Sequence, residues 1–242
     1  MWRKVRLVKY LAERGMGSRR FLDRWIQERG VCLNDVCVFD PAMQVSEADH
    51  IVMDGAPVPS AKPARRVWAF YKPRGVLTTH HDDFHRPSVF DVFKGAGKGL
   101  KTVGRLDQES EGLLLLTNDG AFKRFLELPR HRIARVYHVH YRGGLTPDMC
   151  AQARAGLTIK GVHYAPCSIQ PLRNTRAQDH QCAITLYEGK NREIRKILGF
   201  WGCEVRRLIR TRYGGVSLGR LTPGAHRQVQ EKEIDNMDKN VP

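Results

Sequence analysis

The sequence predicts an α+β fold in two domains, and three observations support this prediction. Apolar residues recur at helical spacing near the amino terminus, and short strand-like runs follow them up to residue 60. The segment Gly55–Ala64 then contains three prolines, a composition typical of an extended and semi-stiff linker. Beyond this segment, strand-like runs outnumber helical ones. We therefore predict one domain over residues 1–60, a linker over 61–66, a second domain over 67–235 and a frayed polar tail over 236–242.

The first domain is predicted to contain two short helices followed by a small hairpin. Apolar residues mark one face of the first helix, which ends before Gly15 and Gly17: Val5, Leu7, Val8 and Leu11. Ser18 is a suitable N-cap for a second helix over Arg19–Arg29. Short strands are then predicted over Val31–Leu33, with a turn at Asn34–Asp35, and around Ile51–Met53.

The second domain is predicted to be rich in strands. Val67–Tyr71 consists of β-branched and aromatic residues and alanine, which favour a strand. The four leucines Leu113–Leu116, flanked by Gly112 and an Asn-Asp-Gly turn, predict a strand that is buried on both faces. The remaining predicted elements are a helix ended by Pro129, an alternating strand over Arg135–His140, a helix from Pro147, and a helix containing Ile194, Ile197 and Leu198.

Composition limits the partners that this protein can have. Lys and Arg number 41 against 25 acidic residues, so the formal net charge is +16. An excess of this size indicates a polyanionic partner, of which nucleic acid is the most common. No apolar run approaches the length of a membrane-spanning helix, and the first residues do not resemble a secretory signal. The six scattered cysteines indicate reduced thiols, so we expect a cytoplasmic protein that binds no membrane.

The segment Gly104–Gly120 is the strongest candidate for a chemical site. Asp107 lies just before the predicted leucine strand, and a rigid strand that continues from a charged loop suits a group that must be held still. The alternative is that Asp107 only caps a short helical turn, and spacing alone does not decide between the two. Metal ligation by Cys32, Cys37 and His50 does not fit a common zinc spacing, so we predict no metal.

Basic residues cluster in two places that are candidates for phosphate contacts. Residues 1–30 carry nine basic side chains against three acidic ones, and residues 189–213 carry eight against two. Arg19 and Arg20 stand at a helix start, where free backbone N–H groups favour an anion. The alternative is a solvated helix face.

Three motifs together resemble those of the pseudouridine synthases that modify ribosomal RNA, the RsuA/RluB branch. The first is Gly-Arg-Leu-Asp leading into Gly-Leu-Leu-Leu-Leu-Thr-Asn-Asp-Gly within Gly104–Gly120, the second is Lys-Pro-Arg-Gly at Lys72–Gly75, and the third is Glu188–Arg195. In the third motif Glu193 replaces the glutamine that is usual in the family. The first domain is similar to the S-four RNA-binding domain in its order of Leu-x-Lys-Tyr-Leu, Gly, Ser-Arg-Arg, Gly-Val and Leu-Asn. Arg86–Asp91 resembles the RluB side of the family and favours the large ribosomal subunit.

This resemblance implies a fold, a reaction and a set of site residues. It implies a small S-four-type domain followed by a mixed, mostly antiparallel sheet with flanking helices and a central basic cleft. The implied reaction is the isomerisation of a uridine in ribosomal RNA, which needs no cofactor. Asp107 would be the catalytic residue, Arg195 the cation that keeps it ionised, Arg105 the residue that displaces the target nucleotide, and Tyr137 the aromatic that stacks on the base. The residues expected to contact RNA are Lys9, Ser18, Arg19, Arg20, Lys72, Lys190, Arg192 and Arg210.

Two other functions remain to be weighed against this one. A ribosome-associated binding or assembly factor would need the basic surfaces but not all three motifs. An RNA glycosidase or nuclease would be expected to show a second catalytic carboxylate or a histidine pair at a plausible spacing, and none stands out. We expect the protein to act as a monomer.

Overall fold

A computed structural model of the chain describes residues 4–80, 82–95, 99–172 and 180–239, with the side chains of 236–239 excepted. The chain forms two compact units, whose main division falls between Arg66 and Val67; of the described residues beyond it, the short segments 99–101 and Asn118–Gly120 group with the first unit. Within the first unit the elements are β1 (Val5–Arg6), α1 (Leu7–Glu13), α2 (Arg19–Arg29), β2 (Val31–Leu33), β3 (Val36–Val38), β4 (Gln44–Val45), β5 (Ile51–Met53) and β6 (Ala56–Pro57).

The first unit packs two helices against short strands, as predicted. The second predicted helix is confirmed at both ends, because Ser18 Oγ accepts a hydrogen bond from the backbone N–H of Phe21 and the helix ends at Arg29. Val5 differs from the prediction: it lies in β1, where it pairs with Val45, and not on the helix. Leu7, Leu11, Leu22 and Ile26 are fully buried between the helices and strands.

The second unit is built on one large sheet. Its elements are β7 (Val67–Lys72), α3 (Val89–Val92), β8 (Lys101–Val103), β9 (Glu111–Thr117), α4 (Gly120–Glu127), a 3-10 turn (Pro129–His131), β10 (Arg135–Arg142), α5 (Pro147–Ala155), β11 (Leu157–Ile159), β12 (Val162–Tyr164), β13 (Ser168–Pro171), β14 (His180–Leu186), α6 (Glu193–Phe200), β15 (Glu204–Tyr213), β16 (Val216–Ser217), β17 (His226–Gln228) and α7 (Glu231–Lys239). Helix α7 overlaps residues 236–239 of the segment that we expected to be frayed.

The strand order of the large sheet is β13-β14-β10-β15-β9-β7-β17. Only the pair β15 and β9 is parallel on this path, and the other neighbouring pairs are antiparallel. The predicted α+β fold with a mixed, mostly antiparallel sheet is therefore confirmed. Every residue of β9 is buried, which confirms that the leucine strand is covered on both faces. In the part of the chain that the structure describes, no helix is both long and apolar enough to cross a membrane.

Candidate active site

Asp107 lies in the loop between β8 and β9, where it is half-buried. Both of its chain neighbours are fastened to the turn that follows β7. The Thr78 hydroxyl donates to the Leu106 carbonyl at 2.7 Å and accepts from the Leu106 N–H at 3.2 Å. The Gly75 N–H donates to the Gln108 carbonyl at 2.7 Å, and the Gln108 side-chain amide donates to the Gly75 carbonyl at 3.2 Å. Three hydrogen bonds therefore fix the backbone on either side of Asp107, and a fourth anchors the Gln108 side chain.

Lys72 is the buried cation nearest in sequence to this turn, and it is one of the residues that we expected to contact RNA. Its side chain is fully buried, and its contact with RNA stays a prediction. Its ammonium group donates to the carbonyls of Pro73 at 2.9 Å and Ser110 at 2.8 Å. Burial lowers its pKa to about 8, while the negative charges of Asp107 and Glu111 act in the opposite direction. Lys72 is thus an internal positive charge facing the Asp107 loop.

One row across the large sheet brings together four residues of the candidate site. Lys72 in β7 pairs with Gly112 in β9, Gly112 pairs with Arg210 in β15, and Arg210 pairs with Tyr137 in β10. Gly112 has φ +101°, and a Cβ atom there would overlap the Arg210 carbonyl oxygen and lie 2.8 Å from the Arg210 backbone nitrogen. The absence of a side chain at this position therefore lets β9 and β15 approach closely between two long cationic side chains.

Arg210 and Tyr137 are both buried in this row. Arg210 is 2% exposed, and its Nε donates to the Leu113 carbonyl at 2.6 Å. The sheet therefore encloses its guanidinium, and its contact with RNA stays a prediction. Tyr137 is 8% exposed. Its proposed contact with a base stays a prediction.

Arg195, near the amino-terminal end of α6, is held close to the same loop. Its guanidinium donates to the carbonyls of Val205 at 3.1 Å and Glu109 at 3.5 Å. Burial lowers its pKa, and the carboxylates of Glu109 and Asp107 partly counteract this effect. Asp107 therefore acts electrostatically on Arg195, although the hydrogen bonds of Arg195 go to other residues. Its role as the counter-ion of Asp107 stays a prediction.

Glu111 is a second acidic residue near Asp107, and sequence reasoning gave it no role. It accepts two hydrogen bonds from Arg207, at 2.6 and 3.2 Å, and one from the Tyr71 hydroxyl at 2.9 Å. Burial alone would raise its pKa, but these hydrogen bonds, together with the positive charges of Arg207 and Arg74, outweigh burial and lower it. Glu111 is thus an ionised structural carboxylate with its oxygens occupied. An acidic residue at the start of a strand predicted to be apolar and buried is the sequence signal that could have indicated a paired structural carboxylate.

Arg105 is exposed, two residues before Asp107. The turn that carries it begins at Gly104, which has φ +65° and whose N–H donates to the Glu127 carboxylate at 2.6 Å. Lys123 also donates to that carboxylate. Helix α4 therefore fixes the backbone from which the Arg105 side chain extends into solvent.

Glu193, where the chain departs from the family pattern, is the first residue of α6. This side chain is 4% exposed, and one of its oxygens accepts from the Lys190 N–H at 2.9 Å. Burial and the neighbouring Glu188 raise its pKa to about 7. Glu193 is therefore largely neutral in mildly acidic solution, in which state it can donate a hydrogen bond as a glutamine does. Lys190 and Arg192 are exposed and paired with Glu188 and Glu109, respectively.

The basic residues predicted in the first unit line a pocket in that unit. The lining residues are Arg6, Val8, Lys9, Arg19, Arg20 and Asp23. Lys9 also forms an ion pair with Glu13 at 3.6 Å. Ser18 caps α2 with its hydroxyl, so the structure assigns it a structural task beside the predicted contact with RNA. The N–H groups at the start of α2 and the lining arginines together suit a phosphate.

Asp107 thus stands in a loop whose neighbouring residues are held by four hydrogen bonds, with the cationic side chains of Lys72 and Arg195 close by, and this arrangement suits an enzyme that acts on a polyanionic substrate. No cluster of residues able to hold a metal ion occurs among the described residues. The chain belongs to the family of RNA pseudouridylate synthases, whose model matches residues 66–199, and the S4 domain model matches residues 5–51. The protein is thus a pseudouridine synthase with an S4 domain, as the sequence motifs predicted.

Relatives along nearly the whole chain support this assignment. An RNA pseudouridine synthase of Rickettsia felis is 37% identical over 95% of this chain and 99% of its own. Ribosomal large subunit pseudouridine synthase B of Bacillus subtilis is 31% identical over 96% of this chain and 95% of its own. A solved pseudouridylate synthase structure superposes with a TM-score of 0.68 at 24% identity, covering 96% of this chain and 99% of that one, and shows the same fold.

Proposed function

We propose that this protein converts a specific uridine of large-subunit ribosomal RNA to pseudouridine, with Asp107 as the catalytic residue. The observation that carries the proposal is that the loop of Asp107 is fastened to the turn after β7, close to the buried Lys72 and the half-buried Arg195. We propose RNA of the large ribosomal subunit as the substrate because the relative from Bacillus subtilis is named for that subunit. An assembly factor without catalysis would not need this carboxylate to be held so closely.

The surroundings of Asp107 suit a reaction on a base that has left its stack. Nearby cations stabilise a carboxylate that is shielded from water, and the cationic side chains of Lys72 and Arg195 lie close to Asp107. Arg105 extends into solvent from a fixed turn, in a position to displace the target nucleotide, at a cost of a few kcal/mol. Tyr137 offers an aromatic ring to the displaced base.

Polar atoms with unused hydrogen-bonding capacity lie in the same region. Ser110 Oγ, Arg195 Nε and Arg210 Nη2 are buried and have no hydrogen-bond partner among the described residues. Buried polar groups normally have partners, because an unpaired one is costly. A nucleotide carries carbonyl, hydroxyl and phosphate oxygens that can satisfy these atoms. This feature supports a polar substrate at the site.

The first unit would supply affinity for the RNA backbone. Lys9, Arg19 and Arg20 line its basic pocket, and each phosphate that they neutralise releases counter-ions. The proposal includes a monomeric enzyme that acts in the cytoplasm. All six cysteines are free thiols, which is typical of a reducing compartment.

The decisive experiment replaces the Asp107 carboxylate with an amide of the same size. Ribosomal RNA labelled with tritium at carbon five of uracil releases tritium when pseudouridine forms. We expect Asp107→Asn to abolish this release while its affinity for RNA stays within a few-fold of wild type. The matched control is Asp148→Asn, on the exposed first turn of α5, which should keep full activity.

Two results would count against the proposal. Normal tritium release by Asp107→Asn would remove Asp107 from the reaction. No release by the wild-type protein, together with tight binding to ribosomal RNA, would favour the assembly-factor function. Mapping pseudouridines in cells with and without the protein would identify the uridine and the ribosomal subunit.

A further inference from the structure

Phe84 is the most exposed large hydrophobic side chain in the part of the chain that the structure describes, with 79% of its surface accessible. It stands at the tip of a loop between β7 and α3, which we call the Phe84 loop and define as residues 82–87. Exposing a phenylalanine to this extent forgoes the stabilisation that burial of its ring would give. None of the roles described above involves this residue.

The Phe84 loop is held in one conformation by Asp82 and Arg86. The Asp82 carboxylate accepts from the Arg86 guanidinium at 2.7 and 3.2 Å and from the Arg86 N–H at 2.9 Å. The Asp82 carbonyl accepts from the His85 N–H at 3.2 Å. Hydrogen bonds from Arg86 lower the pKa of Asp82 to about 2, so the pair stays ionised at every pH at which the protein would function. The loop therefore presents Phe84 from a closed turn.

The exposed ring also carries a cationic neighbour. The Arg86 guanidinium lies 5.2 Å from the centre of the Phe84 ring, within cation–π distance. His85 is held at φ +54°, a conformation that is uncommon for a residue other than glycine. An aromatic ring beside a guanidinium is a combination that proteins use to stack on unpaired bases of single-stranded RNA.

Hydrogen bonds connect the base of this loop with the catalytic loop. The Leu77 N–H donates to the Pro87 carbonyl at 2.9 Å, and the Val89 N–H donates to the Leu77 carbonyl at 2.8 Å. The next residue, Thr78, is the one whose hydroxyl fixes Leu106, immediately before Asp107. A nucleotide that reaches Asp107 would therefore bring its flanking nucleotides near a segment that carries the Phe84 loop.

We propose that Phe84 stacks on an unpaired base of the RNA substrate next to the target uridine and thereby helps to select that uridine. The proposal rests on the proposed function, because it takes RNA to be the substrate at Asp107. A base fits better than an apolar protein surface because the molecule carries a net charge of +16 and the ring lies beside a guanidinium. Phe84 would be a specificity residue outside the reacting atoms.

The test compares four full-length variants in single-turnover tritium release from ribosomal RNA of cells that lack the protein. We expect Phe84→Ala to weaken the apparent affinity for RNA roughly tenfold and Phe84→Trp to retain it, since base stacking needs only an aromatic face. Phe200→Ala removes another exposed phenylalanine of the same unit, 55% accessible, and should have no effect. The slope of affinity against salt should stay unchanged in Phe84→Ala, because stacking releases no counter-ions.

The fourth variant, Asp82→Ala, distinguishes the effect of the closed turn on the position of the Phe84 ring from the effect of net charge on RNA binding. Removing an acidic residue should tighten RNA binding if only electrostatics matter. If the closed turn is needed to present Phe84, binding should weaken despite the gain in positive charge.

Three outcomes would overturn the proposal: affinity of Phe84→Ala within twofold of wild type, equal losses in Phe84→Trp and Phe84→Ala, or an equal loss in Phe200→Ala. These outcomes are distinct from failure of the proposed function, which would appear as no tritium release by the wild-type protein. In that case filter binding to the same RNA still decides whether Phe84 contributes to affinity.

Discussion

Replacing Lys72 with methionine tests the most consequential feature of the site, its fully buried ammonium group. Methionine has a similar length and flexibility but no charge, so it can fill the same space. The substitution leaves the carbonyls of Pro73 and Ser110 without their present donor. It also removes the positive charge that faces Asp107 and Glu111.

The expected effect on stability follows from the pKa of Lys72. Its value falls from the usual 10.5 to about 8 because burial disfavours the charged form. Between these two pH values the unfolded chain binds more protons than the folded one, so stability rises with pH across this interval. This difference in pKa means that the buried charge of Lys72 lowers the free energy of unfolding by about 3 kcal/mol below pH 8 and has no effect above pH 10.5. Lys72→Met should lack this rise.

The assay is urea unfolding of wild type and Lys72→Met between pH 7 and 10.5. Other lysines and tyrosines titrate in both proteins, so the difference between the two free energies of unfolding isolates Lys72. This difference should move in favour of wild type by about 3 kcal/mol as the pH rises. Parallel curves would refute the argument, because they would mean that Lys72 has the same pKa in the folded and unfolded chains.

The same substitution should change catalysis at alkaline pH. Deprotonation of Lys72 above pH 8 removes the positive charge that faces Asp107 and Glu111 in the site. We expect wild-type kcat/KM to fall as the pH rises through 8, and Lys72→Met to have a lower but flatter profile on this side. An alkaline limb that is identical in both proteins would assign it to another group.

Three further substitutions test other parts of the structure. Gly112→Ala should lower the free energy of unfolding by several kcal/mol, because residue 112 has a positive φ and its new Cβ would clash with the Arg210 backbone. The control Gly120→Ala places its Cβ in open space and should be near neutral in thermal unfolding. Glu193→Gln should stabilise the protein above pH 7 and not below pH 4.5, since a carboxyl with a raised pKa loses stability as the pH rises between these values. Equal unfolding curves at pH 8 would refute this. The double change Arg19→Ala and Arg20→Ala should make the salt dependence of RNA binding shallower, and an unchanged slope in filter binding would exclude phosphate contacts there.

Motifs and periodicity in the sequence were sufficient to predict the family of this protein and several of its helices and strands. The Ser18 hydroxyl and the following helix depend on local hydrogen bonding, so the sequence predicted α2 at both ends. The leucine run predicted β9 as a strand buried on both faces, because only such a strand can be apolar at every position. Three short motifs were enough to indicate the family, because each of them is a local run of residues that can be recognised without knowledge of the fold.

Tertiary structure alone decided which cations are buried. Lys72 and Arg210 belong to motifs or clusters that look like RNA-binding surface, yet both are enclosed because their strands pair through Gly112 on one row of the sheet. Strand register depends on contacts between residues that are far apart in the chain, and a shift of one residue would reverse which face each side chain occupies. The sequence therefore determined which charges are present, and the pairing of β7, β9 and β15 determined that Lys72 and Arg210 are buried.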